Sequence, residues 1–186
     1  MNISIREGIV GDAHDIARVH VATWKATYSG IVPQPFLDSL DVPSRAEAWK
    51  SVMNEGKSYI YIAENDRELF GFVSGGALRE PIEGFDAEVY AIYLLPSSQG
   101  RGTGKLLMQR IAETLGINGF SQLAVWVLIE NPSRDFYEHL GGSRIAQKQI
   151  RIGGADLMEI AYGWRDIRTL ASSDRDCPEP TIPSMP

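Results

Sequence analysis

The residues best suited to chemistry are six in a row near the middle of the chain, Gln99-Gly100-Arg101-Gly102-Thr103-Gly104, between an apolar strand-like run and a helix-like pattern. Glycine reaches positive φ at little cost, and its lack of a Cβ lets the backbone close on a ligand. Successive N–H groups in such a turn, with the free N–H groups of the next helix, form a concave anion site suited to a phosphate or diphosphate. Two familiar phosphate loops do not fit. A P-loop needs G-x-x-x-x-G-K-[ST]; Gly104-Lys105 supplies the G-K pair, but Gln99 stands where the first glycine belongs and Leu106 follows the lysine. The dinucleotide fingerprint G-x-G-x-x-G is here G-x-G-x-G, and it lies mid-chain after a strand hairpin rather than in the first unit of an alternating fold.

Other reactive side chains are sparse. The single cysteine, Cys177, lies in the last ten residues, which excludes an internal disulfide framework and a cysteine-based zinc site. His14, His20 and His139 show no metal-ligand spacing, so each reads as structural and no metal is expected. The chain of 186 residues, 44% of them hydrophobic, suits one domain with its own core. A net charge of -6 leaves no basic footprint for nucleic acid and tilts slightly toward cationic substrates. No window approaches ~20 unbroken apolar residues, so no membrane span is expected. The first residues, MNISIREGIVGD, lack a basic stretch followed by an apolar core, so a signal peptide is not expected and a cytoplasmic location is.

The elements that must position the glycine turn follow from periodicity. Residues 3–6 alternate as a short strand, and Ile16, Ala17, Val19, His20 and Trp24 recur at helical spacing from Gly11-Asp12 to about Thr27. A short helix over 36–40 and a longer one from Pro43 to about Asn54 follow. Residues 58–63 and 69–73 read as a hairpin, and 79–86 as a polar loop. The run EVYAIYLL, 88–95, is the most strand-like segment and belongs at the sheet centre. A helix from Gly102 or Thr103, carrying Leu106, Leu107, Ile111 and Leu115, precedes a strand over 122–129, a helix over 133–140 and strands over 144–152 and 156–162. The order predicts a mixed α/β or α+β sheet in a domain spanning 1–165. Residues 166–186, rich in Pro, Ser and Asp from Ser172 onward, are expected as a flexible tail.

A third pattern does fit the turn: Q/R-x-x-G-x-G/A, matched by Gln99, Gly102 and Gly104. The stretch EVYAIYLLPSSQGRGTGKLLMQRIAETL resembles the acetyl-CoA-binding segment of the GCN5-related N-acetyltransferase (GNAT) superfamily, and NPSRDFYEHLGG at 131–142 is similar to its second motif. The order of elements agrees over about residues 3–163. The resemblance implies a mainly antiparallel seven-stranded sheet flanked by helices, with two central strands splayed to admit acetyl-CoA. It implies that the diphosphate rests on the backbone of Gln99, Gly100, Arg101, Gly102, Thr103, Gly104 and Lys105. The pantetheine arm would run beside Ile92, Tyr93 and Leu94, with the Leu94 N–H as oxyanion donor, and Asn131 would touch the cofactor or cap the following helix. Tyr137 matches the tyrosine that protonates the departing thiolate, the alternative being a core aromatic. Glu88, eleven residues before Gln99, matches a catalytic glutamate that accepts the amine proton, the alternative being an exposed polar residue at the strand edge. Trp24 and Tyr28 fall where family members build the acceptor pocket, although Trp24 also reads as core. Arg134 and Gly142 depart from the usual alanine and bulky aromatic.

The expected function is therefore transfer of an acetyl group from acetyl-CoA to a primary amine, of a small cationic molecule or a peptide, by direct attack without a metal. A non-catalytic acyl-CoA-binding module is the alternative, and the resemblance leaves a homodimer open.

Overall fold

A computed structural model describes residues 3–66 and 68–171. Among them, seven strands form one sheet in the order β1-β2-β3-β4-β5-β7-β6. The strands are β1 (Ser4–Glu7), β2 (Tyr59–Glu64), β3 (Leu69–Ala77), β4 (Ala87–Leu94), β5 (Leu123–Leu128), β6 (Ser143–Ile152) and β7 (Ala155–Trp164). The helices are α1 (Ala13–Thr27), α2 (Gln34–Asp38), α3 (Val42–Glu55), α4 (Thr103–Ile117), α5 (Arg134–His139) and α6 (Arg168–Ala171). All neighbouring strands run antiparallel except β4 and β5. That one parallel step is where the crossover through α4 returns the chain to the sheet, as a parallel connection requires.

The helices cover both faces. α1 and α3 bury Ile16, Val19 and Trp49 against Ile60, Ile62 and Phe72 on one face. α4 buries Leu107, Met108, Ile111 and Leu115 on the other, over Val89, Val125 and Tyr162. Leu106 is exposed, because the buried stripe of α4 runs through Leu107, Met108, Ile111 and Leu115. α6 was absent from the sequence pattern, being too short for periodicity to show. It packs beside α4, and Ile167 and Leu170 belong to the core, so packed structure continues past residue 165. The rest of the expected tail lies outside the described residues. No described helix is long and apolar enough to cross a membrane.

One irregularity in the sheet matters for function. β4 and β5 pair only at Ala87↔Leu123, Glu88↔Ala124 and Val89↔Val125. Opposite β3, the register then skips from Gly75↔Val89 to Ser74↔Ala91, leaving Tyr90 as an extra residue. Such a bulge bends its strand and sharpens the local twist. β4 leaves β5 at that point and stays with β3 to Leu94.

Candidate active site

The glycine turn sits at the mouth of the gap between β4 and β5. Gly100 (φ 72°) and Gly102 (φ 81°) are left-handed, and a Cβ on either would meet nothing within 4 Å. Conformation, not crowding, therefore requires glycine there, and the space beside the turn is open. Gly102 caps α4, whose first bond runs from Leu106 N–H to Gly102 O at 3.2 Å. The N–H groups of Thr103 and Gly104 thus have no intrahelical acceptor and lie at the positive end of the helix dipole. Thr103 and Gly104 also pack: the Thr103 side chain is buried, and a Cβ at Gly104 would come 3.2 Å from the Phe136 ring of α5. Gln99 ties the turn back to the sheet, donating from Nε2 to Leu94 O at 3.0 Å. Arg101 is exposed, and Lys105 lines the cleft.

From the turn a cleft of about 680 Å³ runs inward along Ile92 and Leu94, facing Ser133, Phe136 and Tyr137. It narrows to an inner part of about 70 Å³ bounded by Tyr28, Tyr93, Trp126, Asn131 and Tyr137. Leu95 N–H bonds to Phe70 O of β3 at 2.9 Å. Strand alternation then turns the N–H groups of Ile92 and Leu94 the other way, into the gap that β5 has left. A ligand with amide groups can pair there as an added strand.

Tyr137 reaches this gap from α5. Its ring is held between Phe136, 5.3 Å away, and Tyr162, 5.9 Å away and stacked. The helix ends in a Schellman motif, with Gly142 N–H on Tyr137 O and Gly141 N–H on Glu138 O, both at 2.9 Å. The residue is 6% exposed, and its hydroxyl has no hydrogen-bond partner among the described residues. Burial, followed by the nearby Tyr28, pushes its pKa up, so the phenol keeps its proton. Asn131 bridges the two sides of the inner cleft: Oδ1 accepts from Ser133 N–H at 2.8 Å just before α5, while Nδ2 donates to Tyr28 Oη at 3.1 Å. Trp24 does not line the cleft. It is half-buried and donates from Nε1 to Tyr93 Oη at 2.9 Å, so it supports the inner wall from behind. The Tyr93 side chain packs among His20, Phe72 and Trp24.

Glu88 is not exposed at the strand edge. It is 2% exposed, and both oxygens are engaged by Arg79: Oε1 with Nε at 3.1 Å and with the terminal guanidinium nitrogen, Oε2 with the backbone N–H at 3.2 Å. The guanidinium also stacks 4.8 Å from the centre of the Tyr90 ring. A second carboxylate, Glu159 on β7, escaped the sequence reading. It is half-buried, and no hydrogen bond or ion pair holds it among the described residues. Desolvation by burial, against the pull of Lys148 and Arg79, raises its pKa. A signal was available, since a lone glutamate inside the apolar run DLMEIAYGW is out of keeping with an interior strand.

Residues 23–142 match the acetyltransferase (GNAT) family. The chain belongs to that family. It is 39% identical over 169 residues to YuaI, an uncharacterized N-acetyltransferase of Bacillus subtilis, covering 90% of this chain and 96% of that one. Its fold is that of yncA from Salmonella typhimurium, solved with acetyl-CoA (TM-score 0.67, 20% identity, 88% and 94% covered). It is equally that of the paia N-acetyltransferase of Thermoplasma acidophilum, solved with coenzyme A (TM-score 0.64, 21% identity, 88% and 100% covered).

Of the two departures of this GNAT acetyltransferase from the second motif, one has a local cause. A Cβ at Gly142 would lie 2.8 Å from the Trp164 ring, so an indole from β7 already fills the place of an aromatic there. Arg134 opens α5, and its Nε is buried without a partner; nothing in the structure explains it. Of the histidines, His20 is buried and accepts from Trp49 Nε1 through Nδ1 at 3.2 Å, a structural role as expected.

Proposed function

We propose that this GNAT acetyltransferase moves the acetyl group of acetyl-CoA to a primary amine by direct attack in a ternary complex. The observation that carries the proposal is the parting of β4 from β5 after Val89↔Val125, which turns two backbone N–H groups into a gap leading from the glycine turn. The residues fit the coenzyme. Open space beside Gly100 and Gly102 and the free N–H groups of the first turn of α4 suit a diphosphate. Ile92 and Leu94 suit the two amides of the pantetheine arm, and Ser133 and Asn131 face them across the cleft.

The chemistry then follows from placement. The amine loses a proton, and its nitrogen bonds to the thioester carbon. The Leu94 N–H, fixed by β3 pairing on its other side, meets the charge that grows on the thioester oxygen. One such donor contributes about 3 kcal/mol of transition-state stabilisation. The C–S bond breaks, and Tyr137 gives its proton to the departing sulfur. Tyr28 and Trp126 border the side from which the amine enters, with Trp24 behind them. A module that only bound acyl-CoA would have no use for a buried phenol in the wall of the cleft whose hydroxyl has no partner among the described residues.

Calorimetry with acetyl-CoA, followed by thiol release against a panel of amines, tests the reading. Binding with amine-dependent thiol release is expected. A chain that does not bind the coenzyme, or releases thiol at the same rate with and without amine, contradicts it.

A further inference from the structure

On the sheet face beneath the end of α1, beside the inner cleft, the sheet and the 79–86 loop bring together five charged side chains, and four cancel in pairs. Glu88 is matched by Arg79. Glu80 is matched by Lys148, whose ammonium also lies 4.5 Å from the centre of the Trp126 ring. The fifth, Glu159, has no ion pair among the described residues. Its position follows from register. It lies between Leu128 of β5 and Lys148 of β6, and directly opposed residues share a face. Leu128 packs with Tyr28 on that face. Trp126, two residues earlier on β5, lines the inner cleft and also a hollow formed by Glu80, Ile82, Gly84 and Lys148. Glu159 therefore stands in the same wall, beside the hydroxyl-bearing end of the cleft, close enough to Tyr28 to bias its ionisation.

Resting on the acetyl-transfer reading, we infer that Glu159 is the acceptor carboxylate: it holds the ammonium group of a cationic primary amine and takes a proton from it before attack. A half-buried carboxylate without a partner is costly, and the ligand that relieves the cost is a cation. Glu88 is poorly placed for this role, because Arg79 already occupies both its oxygens. The step balances. One amine proton moves to a Glu159 oxygen and the freed nitrogen pair forms the N–C bond; sulfur leaves with the proton of Tyr137, the second proton of the now cationic nitrogen restores the Tyr137 phenol, and Glu159 returns its proton to solvent as product departs. The groups facing Glu159 are Lys148 of β6, Arg79 and Glu80 of the 79–86 loop, Glu88 of β4 and Tyr28 at the end of α1. The two cations temper the field of the other carboxylates, so one further positive charge is what the pocket takes up.

The test is calorimetric titration of the full chain and of Glu159→Gln with n-butylamine, 1,4-diaminobutane and a lysine tetrapeptide, each with and without coenzyme A. Affinity for at least one amine should fall about ten- to thirtyfold in E159Q, as when a partly buried charge pair loses one member, with coenzyme affinity unchanged as the folding control. In the wild type, amine affinity should also fall on acidification as Glu159 takes up a proton, and E159Q should lack that limb. Equal affinities in the two proteins, or no amine bound by either, would overturn the assignment. Amine binding that needs Glu159 in a chain that ignores coenzyme A would leave the carboxylate standing and sink the acetyl-transfer reading instead.

Discussion

At its outer end the cleft offers backbone. Two left-handed glycines, the first turn of α4 and the outward N–H groups of β4 supply open backbone donors above a largely apolar floor. At its inner end it offers side chains. Tyr28, Tyr93, Asn131 and Tyr137 line it, and Glu88 and Glu159 lie in the sheet beside it; they come from β4, β7, α5 and the segments that follow α1 and β5, with Asn131 bonded to Tyr28. A backbone site needs a few residues at fixed spacing, because conformation creates the ligand-facing groups. A side-chain site needs the whole fold, because its members lie up to 131 residues apart, from Tyr28 to Glu159. The outer end should therefore respond to changes in backbone freedom and the inner end to loss of single atoms.

The largest effect expected is at the inner end. Tyr137→Phe removes one oxygen from a ring held by Phe136 and Tyr162, so the fold and the coenzyme contacts should persist. Loss of a general acid costs about 10²–10⁴-fold in turnover. We expect kcat to fall in that range while acetyl-CoA affinity stays within twofold, measured by thiol release and calorimetry. A fall in affinity matching the fall in kcat would mean that the phenol binds the coenzyme and does not protonate sulfur.

The buried support of the inner end should make it sensitive to acid. His20 lies beneath Tyr93, and burial, with Arg45 adding to it, lowers its pKa from 6.5 to about 3. The folded state keeps His20 neutral while the unfolded chain takes up a proton below 6.5. Stability is thus complete above that pH and declines as pH falls toward 3, by up to about 1.4 kcal/mol per unit. Urea midpoints from pH 7 to 5 should show this slope, and His20→Gln, which keeps an acceptor for Trp49, should flatten it. Equal slopes in both proteins would assign the acid loss to other groups.

The same contrast explains what could be read in advance. Strand and helix order and the turn at 99–104 are written in local spacing, and the chain folds accordingly; the splay of β4 from β5 was implied by the family resemblance alone. The ion pair that buries Glu88 could not be read, because Arg79 lies in a loop whose path depends on β3, β4 and Asp86, the last accepting from the backbone N–H groups of Ser121 and Gln122. Glu159 stood out in the sequence as a lone glutamate in an apolar run, but its meaning depends on which neighbouring charges are already matched, a property of tertiary structure. Trp24 was open to two readings, a pocket residue by family resemblance and a core residue by helical spacing, and α1 turns its indole behind the wall, where Nε1 donates to Tyr93 Oη. α6 was missed because one turn of helix carries no period, and only the burial of Ile167 and Leu170 reveals it.

At the outer end, Gly102→Val forces a β-branched residue toward a φ of 81°. Left-handed backbone costs L-residues roughly 1–2 kcal/mol, so the turn should distort and coenzyme affinity should fall about tenfold, by calorimetry. No atom lies within 4 Å of the added Cβ, so the loss is conformational, and amine binding at the inner end should be untouched. If amine affinity fell in parallel, the two ends would be one coupled site.

Arg101→Ala should do least. Its side chain is exposed, so whatever attraction it exerts on a diphosphate acts through water and is weak, as for surface ion pairs of about 0.2–1 kcal/mol. Coenzyme affinity should drop about two- to fivefold, and most of that difference should vanish in 0.5 M salt, where screening lengths are shorter than about 5 Å. The Gly102→Val deficit, being conformational, should survive the same salt. An Arg101→Ala loss as large as that of Gly102→Val, and as resistant to salt, would show that a side-chain charge and not the backbone holds the diphosphate. The outer end would then be built on the same principle as the inner one, and the contrast between them would disappear.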